Sequence, residues 1–321
     1  MSSELPSGTR RGGRRSRRDG GAEVRMVPRA EPRSYYGRPV LKRPVWKPEI
    51  PWYFFTGGLT GASAALAYGA DLSGNRELAR RAWIVTLAAG TASPVLLIND
   101  LGRPERFLNM LRVFKLTSPM SVGSWVVSAT GAAAAVATAH EVLGLFPRVG
   151  RLARMAAAAC GLPMATYTAA LISNTAVPVW HEARRELPFV FAASAATSAG
   201  AACAAVTPRR HAAPARRLAV AGAVAELVAV QAMERGLGEI GEPYHTGQAG
   251  RFGRAAKALT AVGAVTMAAS GRRRTGAVAG AVMLLAGSVC ERWSVFKAGL
   301  QSAEDPKYSV GPQRERLQGE G

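Results

Sequence analysis

Between residues 50 and 297 apolar positions run on almost without interruption, and the polar ones gather in short, Arg-rich connections. Five stretches, 50–70, 82–99, 116–140, 155–180 and 187–208, contain no Asp, Glu, Lys or Arg. A helix needs about 20 mostly apolar residues to cross the hydrocarbon layer, so each is long enough to span a bilayer. Three further segments, 216–235 (interrupted by Glu226), 252–271 and 275–297, bring the expected number to eight. An Ala-rich soluble bundle is the competing reading, and a mean hydropathy of only +0.05 suits it. Soluble surface helices, however, carry charge on their outer face every turn or so, and these do not. The pattern therefore predicts an all-α integral membrane protein with eight transmembrane helices, lying in the cell membrane as a multi-pass chain.

Composition sets the boundaries around that domain. The chain has 321 residues, which divide into a basic Arg/Gly/Pro-rich tail at 1–49, a membrane domain at 50–300 and a soluble C-terminal tail at 301–321. The first tail, with RRGGRRSRR at 10–18, has too little apolar surface to offset its ordering entropy and is expected to be mostly disordered. Lys and Arg total 41 against 21 Asp and Glu, a net charge of +20. In a soluble protein that excess would suggest nucleic acid; beside a bilayer it suits anionic lipid instead, and no nucleic-acid partner is implied. The Arg pairs lack the apolar core and small-residue cleavage site of an export signal. With eight spans both termini share a side, and the basic residues near the spans favour that side as cytoplasmic.

The connections on the terminal side are long and chemically specific. After the second span comes DLGRPERFLNMLRVFKLTSPMSVGSW, 100–125. Beyond Pro104, Phe107, Leu108, Leu111 and Phe114 fall on one face and Arg106, Asn109, Arg112 and Lys115 largely opposite, the spacing of an amphipathic helix in the interface. Such a helix either rests on lipid or docks a partner through Arg103, Arg106 and Arg112. Asp100 and Arg103 are close enough in sequence to pair, so Asp100 either orders this loop or handles protons at the membrane edge.

These segments, with YYGRPVLKRPVWKPEIPWYFFTGGLTGASAAL (35–66), YTAALISNTAVPVWHEARRELPF (167–189) and the DPKYSV…QRER tail, resemble the NrfD/PsrC family, the polysulfide- and nitrite-reductase type of membrane subunit found in molybdoenzyme complexes. The likeness covers about 35–316, with the DLGRP-to-SPMS block its most specific part. It implies two four-helix bundles, a ferredoxin-like iron–sulfur subunit and a molybdopterin catalytic subunit as partners, and electron exchange with a quinone. A weak internal echo agrees: 51–67 matches 188–204 at Pro, Phe, Thr and four Ala positions, although a chain so rich in Ala can produce that by composition.

Residue counts narrow the redox chemistry. An iron–sulfur cluster needs about four Cys thiolates, and Cys160, Cys203 and Cys290 stand alone in separate spans. A membrane haem needs facing His pairs, whereas His140, His181, His211 and His245 lie at span ends or in loops. Neither haem nor cluster is expected in this chain, which leaves a quinone of menaquinone or ubiquinone type. Trp52, with Tyr53, Phe54 and Phe55, would wall a flat slot, or else form an interfacial aromatic belt. Tyr167 lies in the stretch that resembles the family's quinone-bonding segment, and Asn174 and His181 follow it along the chain. Glu226 falls near the middle of a span; a lone carboxylate there costs roughly 2.5–3.5 kcal/mol to insert, so it marks a proton or quinone pathway or a hydrogen bond between helices. The chain would then be the quinone-interacting anchor of a respiratory oxidoreductase, unable to act on the primary substrate alone. A secondary transporter with buried carboxylates and an anchor without quinone are the alternatives.

Overall fold

The computed structural model describes residues 39, 41–103, 105–144, 147–270 and 273–309. The basic segment 1–38 and the end of the C-terminal tail therefore lie outside the described residues, as does Pro104. Among the described residues ten α-helices follow in order: α1 Glu49–Leu72, α2 Arg76–Asp100, α3 Glu105–Met110, α4 Pro119–Leu143, α5 Pro147–Ser173, α6 Pro178–Glu182, α7 Leu187–Val206, α8 Ala213–Leu237, α9 Gly247–Ala269 and α10 Arg274–Glu304. No strand occurs among the described residues.

Local chemistry explains where several helices begin and end. Ser118 accepts the Ser121 N–H and Pro119 occupies the first turn, so α4 opens three residues later than the apolar run suggested. It closes at Gly144, whose φ of 71° is open to glycine at little cost. The predicted span 155–180 does not continue to its end. α5 stops at Ser173, and the Ser-Asn-Thr-Ala run before Pro178 turns the chain back into α6. The amphipathic helix expected after Pro104 is shorter than its pattern: α3 has six residues and buries none of them. A helix that short gains little from its own hydrogen bonds, and it meets only the start of α4, with Phe107 and Met110 half-buried.

Five helices among the described residues are long and apolar enough to cross a membrane: α2, α4, α5, α7 and α10. This set differs from the five charge-free stretches in one exchange, α10 for α1. Pro51, Tyr53, the Gly57-Gly58 pair and several Ser and Thr lower the hydropathy of α1, which is shielded by α2, α5, α7 and α10 and so meets less lipid. α8 and α9 are excluded by Arg216, Arg217, Glu226 and Glu234, and by Arg251, Arg254 and Lys257. The fold is that of an all-α integral membrane protein.

The long helices pack in two sets of four. α1, α2, α4 and α5 form one, α7, α8, α9 and α10 the other, and α1 meets α7 between them. Across that seam Phe54 lies 5.8 Å from Phe191, and a Cβ on Gly58 would touch Ala195 at 3.3 Å. Both pairs obey the register of the internal echo, in which 54 matches 191 and 58 matches 195. Two equivalent pairs one turn apart require α1 and α7 to run parallel about a common axis. Within the first set, Ser93 donates to Thr56 at 2.9 Å and Thr86 to Ser63 at 3.0 Å, tying α2 to α1 inside the core. Gly61 and Gly161 allow α1 and α5 to touch backbone to backbone, since a Cβ on Gly61 would fall 2.1 Å from the Gly161 carbonyl oxygen.

Candidate quinone slot and buried charge cluster

At the end where α1 begins, α1, α2, α4 and α5 leave a narrow slot of about 50 Å³ between their side chains. Its walls are aromatic and aliphatic, with Trp46, Tyr53, Phe54, Met110, Met120 and Tyr167 among them, and Asp100 is the one carboxylate in the lining. Each side chain is set by a separate local device. The approach segment before α1 crosses the opening, pinned where the Lys47 N–H donates to Asp100 Oδ1 (2.9 Å) and Lys47 Nζ donates to the Asn99 carbonyl (3.1 Å). Trp46 stacks on Trp180 at 5.5 Å, and Trp180 in turn donates its indole N–H to the Val295 carbonyl at 2.8 Å. The short α6 therefore braces the wall of the slot against α10. Tyr167 meets Tyr53 edge-on at 6.5 Å and lies directly over Gly123, where a Cβ would fall 2.4 Å from its ring.

The lining of the slot suits a quinone ring by its apolar surface and its donor chemistry. It is flat-walled and apolar, and the Tyr53 hydroxyl, buried to 1% exposure, has no hydrogen-bond partner among the described residues. An orphaned donor in such a place is costly unless a ligand accepts from it. The slot brings Asp100 and Tyr167 together and leaves the other nominated residues outside. Trp52 is 43% exposed on the outer face of α1, while its neighbours Tyr53 and Phe54 turn inward. Asn174 is exposed in the turn after α5, and His181 is exposed with its Nδ1 3.3 Å from the Ser173 carbonyl. Arg103, Arg106 and Arg112 are exposed along the 100–120 connection, which lines the slot through Asp100, Leu101, Met110 and Met120 instead. The expected Asp100–Arg103 pair does not form among the described residues; Gly102, at φ 69°, turns the chain away and Asp100 binds the Lys47 backbone instead.

Behind the Phe54–Phe191 contact lies a second polar site, in the α7–α10 set. Glu226 of α8 is 2% exposed and faces Ser194 and Thr197 of α7 and Arg292 of α10. Arg292, also buried, donates from Nη2 to the Phe191 carbonyl at 3.0 Å and holds its guanidinium 3.8 Å above the Phe191 ring. Glu291 is buried beside it, with Glu226, Glu234 and Lys257 as its charged neighbours. Glu234 closes the series toward the surface through an ion pair with Lys257 at 2.6 Å. Glu226 Oε2 and Arg292 Nε and Nη1 have no hydrogen-bond partner among the described residues. Ionisable groups so placed inside a bundle mark water or proton access more often than packing. Sequence reasoning found Glu226 and missed Glu291 and Arg292, although an adjacent Glu-Arg pair after 16 charge-free residues of α10 was a visible signal.

Among the described residues no three His, Cys, Asp or Glu side chains converge to hold a metal ion. The architecture is that of an integral membrane protein with an aromatic slot at one end and a buried charge cluster beside it. The family model described as polysulphide reductase, NrfD matches residues 40–237, and the chain belongs to that family. The match includes the slot and Glu226 and ends before α9 and α10. No curated protein matches the chain.

Proposed function

We propose that this protein is the quinone-interacting membrane subunit of a respiratory oxidoreductase complex, passing electrons between a quinone and a partner iron–sulfur subunit that serves a molybdopterin catalytic subunit. The observation that carries the reading is the meeting of Asp100 and Tyr167, far apart in sequence, in one aromatic slot together with the unpartnered Tyr53 hydroxyl. Family membership supports the partner assignment. All eight long helices are taken as spans in two four-helix bundles flanked by the tails at 1–49 and 301–321, with both termini cytoplasmic and the 100–120 connection, through Arg103, Arg106 and Arg112, facing the partner.

A bound quinone would supply two-electron, two-proton chemistry at its ring carbonyls. Tyr53 and Tyr167 would donate hydrogen bonds to a carbonyl oxygen, and Trp46, Phe54 and the two methionines would hold the ring flat and exclude water. Asp100 uses Oδ1 to hold the Lys47 segment, which leaves Oδ2 as the nearest carboxylate oxygen to accept or give a proton. Glu226, paired electrostatically with Arg292 behind the Phe54–Phe191 wall, would carry protons between the slot and the Glu291–Glu234 series. Trp52, Asn174 and His181 would act around the entrance rather than on the ring.

The test uses the assembled complex and two readouts. Tyr167→Phe and Glu226→Gln preserve shape while deleting one hydroxyl and one titratable proton. Both should lower quinone turnover, Tyr167→Phe by a factor corresponding to roughly 1–3 kcal/mol. Reduction of a soluble dye through the partner subunits should persist. Parental quinone turnover in both variants would overturn the assignment.

A further inference from the structure

On the outer face of the α7–α10 set, α9 and α10 leave an open groove of about 530 Å³ lined by Gln248, Arg251, Phe252, Ala255, Cys290, Trp293 and Lys297. Its two ends differ in chemistry. Gln248 and Arg251 belong to the first turns of α9 and Lys297 to the last turns of α10, so the polar groups gather at the end that also holds the Arg43–Glu304 and Lys307–Glu242 ion pairs. Toward the middle of the helices the lining becomes apolar: Phe252 stacks on Trp293 at 5.6 Å, with Ala255 and Cys290 beyond.

The basic residues around this groove are not equivalent. Arg254 donates to the His245 carbonyl at 3.3 Å and Lys257 pairs with Glu234, so both are satisfied within the protein. Arg251 has no hydrogen-bond or ion-pair partner among the described residues, and Lys297 has only the Trp293 ring, 5.7 Å from its Nζ. No Asp or Glu lines the groove. Two uncompensated cations beside an aromatic and aliphatic channel form a receptor with a charged head end and an oily tail end.

We infer that this groove binds an anionic phospholipid, with the phosphate between Arg251 and Lys297 and an acyl chain along Phe252, Ala255 and Cys290. An acidic segment of a soluble partner would satisfy the cations but would leave the apolar half of the groove, Phe252, Ala255, Cys290 and Trp293, uncovered. A neutral lipid would fill the channel without neutralising the charges.

Native mass spectrometry of the full-length protein, released from nanodiscs of equal phosphatidylglycerol and phosphatidylcholine, tests this directly. The parent should retain phosphatidylglycerol in preference to phosphatidylcholine. Each near-surface cation contributes about fivefold to anionic-lipid binding, so Arg251→Gln with Lys297→Gln should lower that retention by about tenfold or more, and each single change by less. The exposed Arg80→Gln, at the opposite end of the molecule, should change nothing, and an unchanged helical circular dichroism signal in each variant excludes misfolding. Undiminished phosphatidylglycerol retention in the double variant overturns the inference, as does an equal fall for both lipids.

Discussion

Tyr53 separates packing from chemistry more cleanly than any other side chain in the slot. Its ring is fully enclosed and its hydroxyl has no partner among the described residues, so Tyr53→Phe removes a desolvated polar atom from the fold. Thermal stability should stay unchanged or rise by up to about 1 kcal/mol, while quinone turnover in the assembled complex falls. A loss of stability with unchanged turnover would make the hydroxyl structural. Gly123 offers a second handle on the same site. A side chain there must displace the Tyr167 ring, whereas the space around Gly131 on the same helix is open. Gly123→Val should therefore depress quinone turnover and Gly131→Val should not, both measured against partner-mediated dye reduction. At this scale sequence alone separated aromatic from polar candidates but could not orient them. Trp52 and Tyr53 are neighbours in an aromatic run, and only the helix's rotation against α2 and α5 decides which one turns inward. Arg292 stayed hidden for a related reason: its meaning depends on Glu226 and Phe191, contributed by two other helices.

Among the elements, the far end of the first helix set is fastened by a mostly buried charge group. Arg154 of α5 reaches Asp71 of α1 at 2.9 Å and Glu141 of α4 at 3.1 Å, and Trp83 of α2 donates its indole N–H to the same Asp71. Arg154→Met would leave two carboxylates facing each other without a cation and should cost about 3 kcal/mol. The readout is the thermal midpoint of the detergent-solubilised protein; an unchanged midpoint would mean that the group is dispensable. At the opposite end, Lys307 binds Glu242 at 2.5 Å and fastens the segment after α10 to the 3₁₀ turn Gly238–Tyr244. The Lys307 ammonium beside it holds the Glu242 carboxyl below its usual range. A depressed carboxyl contributes while ionised, so the contact should persist at neutral pH. It should be lost as pH falls below the usual 4.5. Hydrogen exchange over 300–309 should accelerate in that window and not between pH 6 and 8. Helix order and several boundaries were legible because charge-free runs are local signals, the start of α7 at Leu187 being one example. The break at 173–178 was not, because Ala, Ile and Val continue the apolar pattern across a turn that Trp180 needs in order to reach α10.

Taken as a whole, the molecule places an aromatic slot in one helix set against a buried charge cluster in the other, with Phe54 and Phe191 between them. The central claim is that the quinone occupies the slot walled by Tyr53 and Tyr167. Photolabelling with an azidoquinone, followed by peptide mapping of the full-length chain, tests it most directly. The account predicts label on peptides spanning 46–54, 97–124 and 164–171, suppressed by excess native quinone and reduced in Gly123→Val. Competable label concentrated instead on α8 and α10, around Glu226 and Arg292, would contradict it.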